Sequence, residues 1–274
     1  MGVFNPLILD AADIKEKDRV LDIGCGAGQL TRAAAERAAH GEVTGIDINR
    51  RLVDLARAGA AQPHLTHVKF VVGDAQVHAL PEAGYDVAIS RLGVMFFADP
   101  GKAFTNVARS SRPGGRVVFL TPGPLDDSEL GEALDAAGGR ARPDEEVSSA
   151  ENIGMSLSSP DRVHKVLEGA GFTEVNARPV SVVQTWGEEV EDAAAFLADW
   201  CPIRLHLASQ GPEADRRARA ALPAVLRRYQ GSAGVRLQST GMLVTARRGT
   251  SRHLGAERPR DGHSPTRGRR RRMG

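Results

Sequence analysis

Short apolar runs alternate with amphipathic segments from residue 19 onward. This alternation predicts a mostly parallel β-sheet with helices on both of its faces. The predicted strands lie at 19–23, 42–47, 68–72, 85–90, 116–121, 174–184 and 241–247. The predicted helices lie at 30–39, 50–60, 100–110, 161–169, 189–209 and 212–229. Asn49 and Asp99 are residue types that cap helix N-termini, and each directly precedes a predicted helix.

The pattern indicates one domain over residues 1–248. Residues 122–157 are acidic, rich in glycine and weakly periodic, so we expect an irregular surface insertion there. The helical segments within 186–232 form a second insertion, near the C-terminal end of the sheet. Only 18 residues precede the first strand, so we expect either that the segment covering the ends of the strands is short or that the protein starts further upstream.

Residues 249–274 carry eight Arg and two acidic residues, a balance of +6 that leaves −4 on the remainder of the chain. This tail has one leucine, one methionine and no aromatic residue, so it cannot bury enough apolar surface to offset the entropy of ordering. We therefore expect a disordered Arg-rich tail. Its basic run at 269–272 could contact nucleic acid or an acidic surface, but charge runs of this kind are usually solvated, so we expect a solvated tail.

The rest of the composition excludes several classes of protein. With 41% hydrophobic and 26% charged residues the chain has ordinary globular composition, and it lacks both a membrane-length apolar run and a leader-like start. We therefore expect a soluble, cytoplasmic protein. The two cysteines, Cys25 and Cys201, stand far apart and without partners at metal-ligand spacing, so we expect neither a disulfide framework nor a metal site.

The most informative segment is the turn from Asp22 to Gly28, which follows a predicted strand and precedes a predicted helix. Its glycines at alternate positions let the backbone bend tightly and let a ligand lie against it. A dinucleotide fingerprint would need a further glycine at 29, where this chain has Gln29. Asp22 would attract a cationic group and repel a pyrophosphate, so the turn favours a ligand without phosphates and with a positively charged end.

Two further carboxylates are predicted at neighbouring strand ends. Asp47 ends the second strand, 19 residues after Gly28, where a carboxylate can accept hydrogen bonds from both hydroxyls of a ribose. Asp74 follows the third strand and could accept from an adenine amino group, although Gly-Asp pairs are also common in turns for local reasons.

In this order, the glycine turn, Asp47, Asp74 and the Arg-Pro-Gly-Gly run at 112–115 resemble class I S-adenosylmethionine (SAM) dependent methyltransferases. The run Ser-Arg-Leu-Gly-Val-Met-Phe-Phe-Ala-Asp-Pro at 90–100 is similar to the branch that contains ubiquinone and menaquinone biosynthesis methyltransferases and their small-molecule relatives. The resemblance covers residues 19–121 and, more weakly, the closing strands. It implies a Rossmann-like, doubly wound, seven-stranded sheet and SAM as the cofactor.

The resemblance also implies roles for individual residues. The glycines would approach the methionine part and ribose of SAM, Asp47 would hold the ribose hydroxyls, Ile48 would pack on the adenine, and Asp74 with Ala75 would face its edge. Arg91 would lie beside the cofactor or form a structural ion pair. The cofactor-binding residues implied in this way are Asp22, Gly24, Gly26, Gly28, Asp47, Ile48, Asp74, Ala75 and Arg91.

The sequence leaves the acceptor and the catalytic residues open. Methyl transfer needs a base only where the acceptor must lose a proton, and His164, His206 and Asp199 are candidates, with His206 also a substrate-side candidate in the helical insertion. We expect a small-molecule acceptor, no nucleic-acid partner, and a homodimer as one oligomeric option.

Two other functions stay open. One is an RNA-directed methyltransferase that uses the Arg-rich tail. It is disfavoured because no Asn-Pro-Pro-Tyr-like motif follows the fourth strand and aromatic residues make up only 4% of the chain. The other is a SAM-binding protein that no longer transfers methyl groups, or that uses SAM to position a different reaction or to sense it.

Overall fold

The computed structural model describes residues 2–123, 128–136, 138, 157 and 159–250, with only the backbone described at 201, 202, 205 and 206. Its strands are β1 (Arg19–Ile23), β2 (Glu42–Asp47), β3 (Val68–Val72), β4 (Tyr85–Arg91), β5 (Ser111–Pro122), β6 (Phe172–Gly187), β7 (Gln230–Gly231) and β8 (Gly234–Arg248). Its helices are α1 (Asn5–Ala12), α2 (Gln29–Arg37), α3 (Arg50–Gly59), α4 (Pro100–Ser110), α5 (Glu129–Ala136), α6 (Pro160–Gly169), α7 (Val190–Asp199), α8 (Cys201–Gln210) and α9 (Pro212–Leu226).

The strands form one sheet in the order β3-β2-β1-β4-β5-β8-β6, with the two-residue β7 paired only to β8. Strands β1 to β5 are parallel, whereas β8 runs antiparallel to both β5 and β6. The predicted seven-stranded, mostly parallel sheet is therefore confirmed. The closing strands β6 and β8 are longer than predicted, because they extend beyond the end of β5.

Local chemistry sets where the helices begin. The Asn49 side chain accepts from the backbone N–H groups of Arg51 and Leu52, at 3.0 and 3.3 Å. The Asp99 carboxylate accepts from the N–H of Lys102 at 3.0 Å. Each bond satisfies a donor that the first turn of a helix leaves free, so both predicted caps are confirmed.

The sheet carries an apolar layer on each face. Helices α1 and α2 pack on one face through a cluster that includes Ile8 and Leu30. Helices α4 and α6 pack on the other through a cluster that includes Phe104 and Leu167. The helices on both faces confirm the doubly wound arrangement. The segment before β1 contributes the buried helix α1 to this core.

A third apolar cluster lies apart from the sheet layers and joins four helices, α5, α7, α8 and α9, to the far ends of β6 and β8. We call these four helices the cap. Helix α5 lies within the segment expected to be irregular. It folds as a helix because Leu130, Ala133 and Leu134 recur at helical spacing and are buried against the cap. The predicted helix at 189–209 is divided in two at Trp200, directly before a helix whose first turn contains a proline.

The cap projects beyond one particular edge of the sheet. Strand β5 ends at Pro122, which pairs with Gly241 of β8, so residues 234–240 of β8 and their partners on β6 continue past the carboxyl ends of β4 and β5. The cap is attached to this extension. Within the described ranges, no helix has both the length and the apolar character needed to cross a membrane. The predicted tail falls outside the described residues from 251 onward.

Candidate functional site

The turn after β1 is built by a close approach between two backbones. Gly24 has a φ of +67°, and a Cβ added to it would lie 2.7 Å from the Cα of Gly93. Gly93 follows β4, and a Cβ added there would lie 2.5 Å from the carbonyl oxygen of Ile23. The Ser90 hydroxyl donates to the same Ile23 carbonyl at 2.6 Å. The ends of β1 and β4 can therefore meet only because both positions are glycine.

The other two glycines of the turn have different surroundings. A Cβ at Gly28 would lie 2.8 Å from the Phe70 ring, so Gly28 lets α2 pack against β3. A Cβ at Gly26 would have no neighbour within 4 Å. Gly26 is thus the glycine whose backbone borders open space, where a ligand can lie against it.

Asp47, at the end of β2, is fixed by the backbone of this turn. Its Oδ2 accepts from the N–H of Gly26 at 2.8 Å, and its Oδ1 accepts from the N–H of Asn49 at 2.8 Å. The side chain is half-buried, and each oxygen keeps a second lone pair. The carboxylate therefore lies directly beside the open space at Gly26.

Asp22, in β1, is buried, with 1% of its surface exposed. Its Oδ2 accepts from the Thr31 hydroxyl at 2.6 Å, whereas its Oδ1 has no hydrogen-bond partner among the described residues. Burial raises the pKa of the Asp22 carboxyl to about 6. A buried carboxylate with a free oxygen favours a cation nearby, as the sequence indicated.

Two more predicted residues lie at the ends of β2 and β3. Ile48 is an aliphatic side chain with 73% of its surface exposed, next to Asp47. Asp74 is half-buried, and its Oδ1 accepts from the N–H of Gln76 at 2.9 Å, while Ala75 is buried. The local turn predicted as the alternative role of Asp74 is present, and the other carboxylate oxygen makes no hydrogen bond to a described residue.

Arg91 ends β4, and its described partners are amides. Its Nη1 donates to Oδ1 of Asn5 at 2.5 Å and to Oε1 of Gln29 at 2.8 Å. Burial lowers the pKa of the Arg91 guanidinium, while the nearby Asp22 acts in the opposite direction. Sequence reasoning gave Asn5, Gln29, Thr31 and Gly93 no role here. The one available signal was Gly93, which stands in the run after β4 that carried the resemblance.

No described contact places a candidate base beside the glycine turn at the carboxyl ends of the strands. His164 lies 3.5 Å from Glu168 on the same helix, and Asp199 pairs with Arg219 at 2.7 Å. The His206 side chain is outside the described residues, so its predicted role stays a prediction. Burial also raises the pKa of the Cys25 thiol, so this cysteine of the turn is a poor nucleophile.

These residues together define an α/β protein with a candidate ligand site at the carboxyl ends of its parallel strands, where the strand order reverses beside β1. A family model described as a methyltransferase domain matches residues 14–171, and the chain belongs to this family. The expected resemblance is therefore confirmed.

Two curated relatives are similar to part of the chain. Nocamycin O-methyltransferase of Saccharothrix syringae is 32% identical over 178 residues, which cover 61% of this chain and 64% of the relative. Demethylmenaquinone methyltransferase of Deinococcus radiodurans is 27% identical over 61% of this chain and 73% of its own length. The chain thus spans a little under two thirds of the first of these relatives.

The fold is similar to that of the YcgJ protein of Bacillus subtilis, with a TM-score of 0.60 and 16% identity over 89% of this chain and 97% of that one. At this identity the likeness concerns the fold alone. It extends over the closing strands as well as the region that the family model matches.

Proposed function

We propose that this protein binds S-adenosylmethionine and transfers its methyl group to a small-molecule acceptor. The observation that carries the proposal is the open backbone at Gly26 beside the Asp47 carboxylate, with the buried Asp22 carboxylate in the strand that leads into the same turn. Two negative charges and no phosphate cradle suit a cationic nucleoside better than a dinucleotide.

The described geometry fits each part of that cofactor. Asp47 has lone pairs for the ribose hydroxyls, the exposed Ile48 offers an apolar surface to the adenine, and the available oxygen of Asp74 can accept from the adenine amino group. Gly26 leaves the space that the methionine part and ribose need. When bound, SAM supplies a methyl group on a positively charged sulfur.

The chain's own contribution to the reaction is alignment and exclusion of water. Displacement at a sulfonium disperses positive charge, so a dry, well-aligned site accounts for much of the acceleration. The N–H groups of Gly26 and Asn49 donate to the Asp47 carboxylate and fix its position. The close approach of Gly24 and Gly93 fixes the turn. The groups that would orient the cofactor are therefore held by the backbone. No base is assigned, because an acceptor that loses its proton before attack needs none.

The cap suits the acceptor side of the site. It projects past the carboxyl ends of β4 and β5, the same edge at which the cofactor residues lie. Nocamycin O-methyltransferase and demethylmenaquinone methyltransferase are named for small-molecule acceptors. By analogy we assign this chain an acceptor of that class, bound between the cap and the cofactor.

Calorimetric titration with SAM, and with NAD as the control ligand, tests the cofactor. We expect SAM to bind with a micromolar dissociation constant and NAD not to bind. A well-folded protein that binds neither ligand would contradict the proposal. Methyl transfer is then tested by S-adenosylhomocysteine release over a panel of small acceptors. Binding without any release would instead favour the SAM-binding protein that does not methylate.

Salt dependence separates the small-molecule enzyme from an RNA-directed one. Activity on a small acceptor should change little with salt, whereas binding to RNA phosphates weakens steeply as salt rises. Activity that requires RNA and falls with salt would overturn the choice of acceptor class.

Replacing Asp47 tests the ribose assignment. Asp47→Ala removes a pair of charge-assisted hydrogen bonds and should weaken SAM binding by about 2 kcal/mol, measured by calorimetry. Asp54→Ala is the matched control, because Asp54 is an exposed carboxylate on the next helix that pairs with Arg57. Equal affinities for the two variants would refute the assignment.

A further inference from the structure

Three buried hydrogen-bonding side chains lie on the extension of β6 and β8 that carries the cap. Trp186 Nε1 and Ser239 Oγ are enclosed, and neither makes a hydrogen bond to a described residue. Gln184 is 3% exposed, and its side-chain amide makes no hydrogen bond to a described residue either. A buried polar group without a partner is destabilising, so three of them on one short stretch indicate a surface that a polar ligand contacts.

The three side chains lie on one face of the sheet. In the β6–β8 pairing Gln184 lies opposite Leu237 and Val182 lies opposite Ser239, and the side chains of paired residues share a face. Leu237 and Ser239 are two residues apart on β8, so all four side chains lie on the same face. Trp186 belongs to the same apolar cluster as Leu237. The three polar groups therefore lie together on the face that meets the cap.

This face crosses the boundary between two apolar layers. Leu237 and Trp186 belong to the cluster of the cap. Val182, opposite Ser239, packs on the cluster that joins α1 and α2 to the sheet. Ser239 and Gln184 therefore lie where the cap meets the sheet layer. We call this place the seam, and it consists of Val182, Gln184, Trp186, Leu237 and Ser239. None of these five residues carries a charge.

Exposed apolar side chains are found in both layers that meet at the seam. On the cap side, Phe196 is 46% exposed, and its ring centroid lies 5.8 Å from that of Trp186. On the sheet side, Phe4 belongs to the same cluster as Val182, and its neighbour Val3 is 42% exposed. Apolar surroundings with a few uncharged hydrogen-bonding groups suit a ring compound that carries a hydroxyl or carbonyl oxygen and no charge.

The seam lies at the edge where the proposed function requires an acceptor. Residues 234–240 of β8 and their partners on β6 continue past the carboxyl ends of β4 and β5. Because Trp186 Nε1 and Ser239 Oγ are enclosed, a ligand that reaches them must part the cap from the sheet layer. Polar groups without partners make this contact easier to open than a fully apolar one.

We infer that the acceptor is an uncharged ring compound with hydroxyl or carbonyl oxygens, and that it inserts at the seam, where these oxygens hydrogen-bond to Gln184, Trp186 and Ser239. The inference rests on the proposed function, since it names the class of the acceptor and the residues that hold it. The three side chains bind and orient the acceptor and take no part in the transfer itself. Amines and carboxylates would bring a charge into an uncharged site, so they should bind poorly.

Three bicyclic probes of similar size test this class of acceptor. Hydroxytetralone is uncharged and carries a hydroxyl and a carbonyl, aminotetralin is a cation at neutral pH, and tetralin is the hydrocarbon of the same ring frame. Their affinities are measured by calorimetry on the full chain saturated with S-adenosylhomocysteine, so that no transfer occurs. Hydroxytetralone should bind about 10-fold more tightly than either of the other two probes.

Two variants test the residues of the seam. Ser239→Ala and Gln184→Met should each weaken the binding of hydroxytetralone about 5-fold, as expected for the loss of one neutral hydrogen bond. The affinities for tetralin and for SAM should not change. Ser181→Ala and Gln238→Met are the matched controls, because both residues are exposed on the same pair of strands. Both controls should bind every ligand as the wild type does.

Each remaining outcome counts against the inference. If the wild type binds SAM but binds hydroxytetralone no better than aminotetralin or tetralin, the inference is overturned and the proposed function stands. An equal loss of affinity for hydroxytetralone and tetralin in a folded seam variant also overturns it, because a purely structural role would lower both. Failure of the wild type to bind SAM refutes the proposed function and this inference together.

Discussion

The carboxyl ends of the parallel strands, where we propose that the cofactor binds and which we call the cofactor edge, and the cap are built from different kinds of contact. At the cofactor edge, backbone meets backbone, as at Gly24 and Gly93, or backbone meets a carboxylate, as at Gly26 and Asp47. In the cap, apolar side chains such as Leu197 and Leu222 pack on one another. Both regions contain buried polar atoms without described partners: Asp22 Oδ1 at the cofactor edge, and Trp186 Nε1 and Ser239 Oγ on the strand extension that carries the cap.

This difference indicates which of the two regions tolerates amino-acid substitutions. A contact between backbones depends on the absence of a side chain, so only one residue type satisfies it. An apolar cluster accepts several residues of similar volume. We therefore expect the cofactor edge to lose function on small substitutions, and the cap to accept them and to be the place where acceptor preference is set.

The largest effect should come from Gly24→Ala. The new Cβ would lie 2.7 Å from the Gly93 Cα at a positive φ, so the turn must shift. We expect about 3 kcal/mol of destabilisation in denaturant unfolding and loss of SAM binding. Gly26→Ala is the comparison, because its Cβ meets nothing within 4 Å. It should cost about 1 kcal/mol of stability while still weakening SAM binding strongly. Equal destabilisation by the two variants would contradict this division of roles.

Asp22 should make the stability of the ligand-free protein depend on pH. Burial raises the pKa of Asp22 from 3.8 in the unfolded chain to about 6 in the folded protein. The folded protein therefore holds this proton more tightly than the unfolded chain does. The resulting gain in the free energy of unfolding is complete below about pH 4 and is lost as pH rises through 6. Asp22→Asn should remove this dependence and stabilise the ligand-free protein at pH 7 by about 2 to 3 kcal/mol. The same variant should weaken SAM binding. Thermal unfolding from pH 4 to 8 measures the first effect, and a wild-type profile that overlays that of the variant would rule it out.

The buried polar atoms of Trp186 and Ser239, on the extension of β6 and β8 that carries the cap, should affect stability and SAM binding less than Asp22 does. Ser239→Ala and Trp186→Phe remove a buried hydroxyl and a buried indole N–H, each without a described partner. We expect Ser239→Ala to leave stability unchanged or raise it by about 1 kcal/mol, and both variants to bind SAM as the wild type does. Trp186→Phe should also keep the ring contacts with Phe196 and Trp200. A large loss of SAM affinity in either variant would show that the cap is part of the cofactor site.

The smallest effect should follow removal of residues 251–274. The chain is described to Thr250, and the Gly249 N–H donates to the Gly171 carbonyl at 3.1 Å. A truncation after Thr250 keeps this bond, so the melting temperature and SAM affinity should match those of the full chain. A clear drop in melting temperature would mean that the tail contacts the domain.

Most of the sheet and its helix caps could be predicted from the sequence, because their signals are local. Alternating apolar runs, Asn49 before a helix and the glycines after β1 each depend on near neighbours in the chain. The partners of Arg91 could not be predicted, because Asn5 and Gln29 lie 86 and 62 residues away and carry no charge to suggest the pairing. Helix α5 was missed because its few apolar residues are buried only by the distant helices of the cap.

The glycines of the turn after β1 show the same limit of sequence-based prediction. Three glycines after β1 were visible as a ligand turn, but their separate surroundings were not, since Phe70 and Gly93 belong to other strands and loops. The sequence therefore predicted the turn and its three glycines. It could not predict which of them face the open space.

The position of β8 has a consequence for how the chain acquires its fold during synthesis. This strand is the last of the described strands to leave the ribosome, yet it lies between β5 and β6 in the sheet. Until it emerges, β5 has an unpaired edge and β6 has no neighbour, and exposed strand edges promote aggregation. The first five strands can assemble early, whereas closure of the sheet and assembly of the cap must wait for residues 234–248.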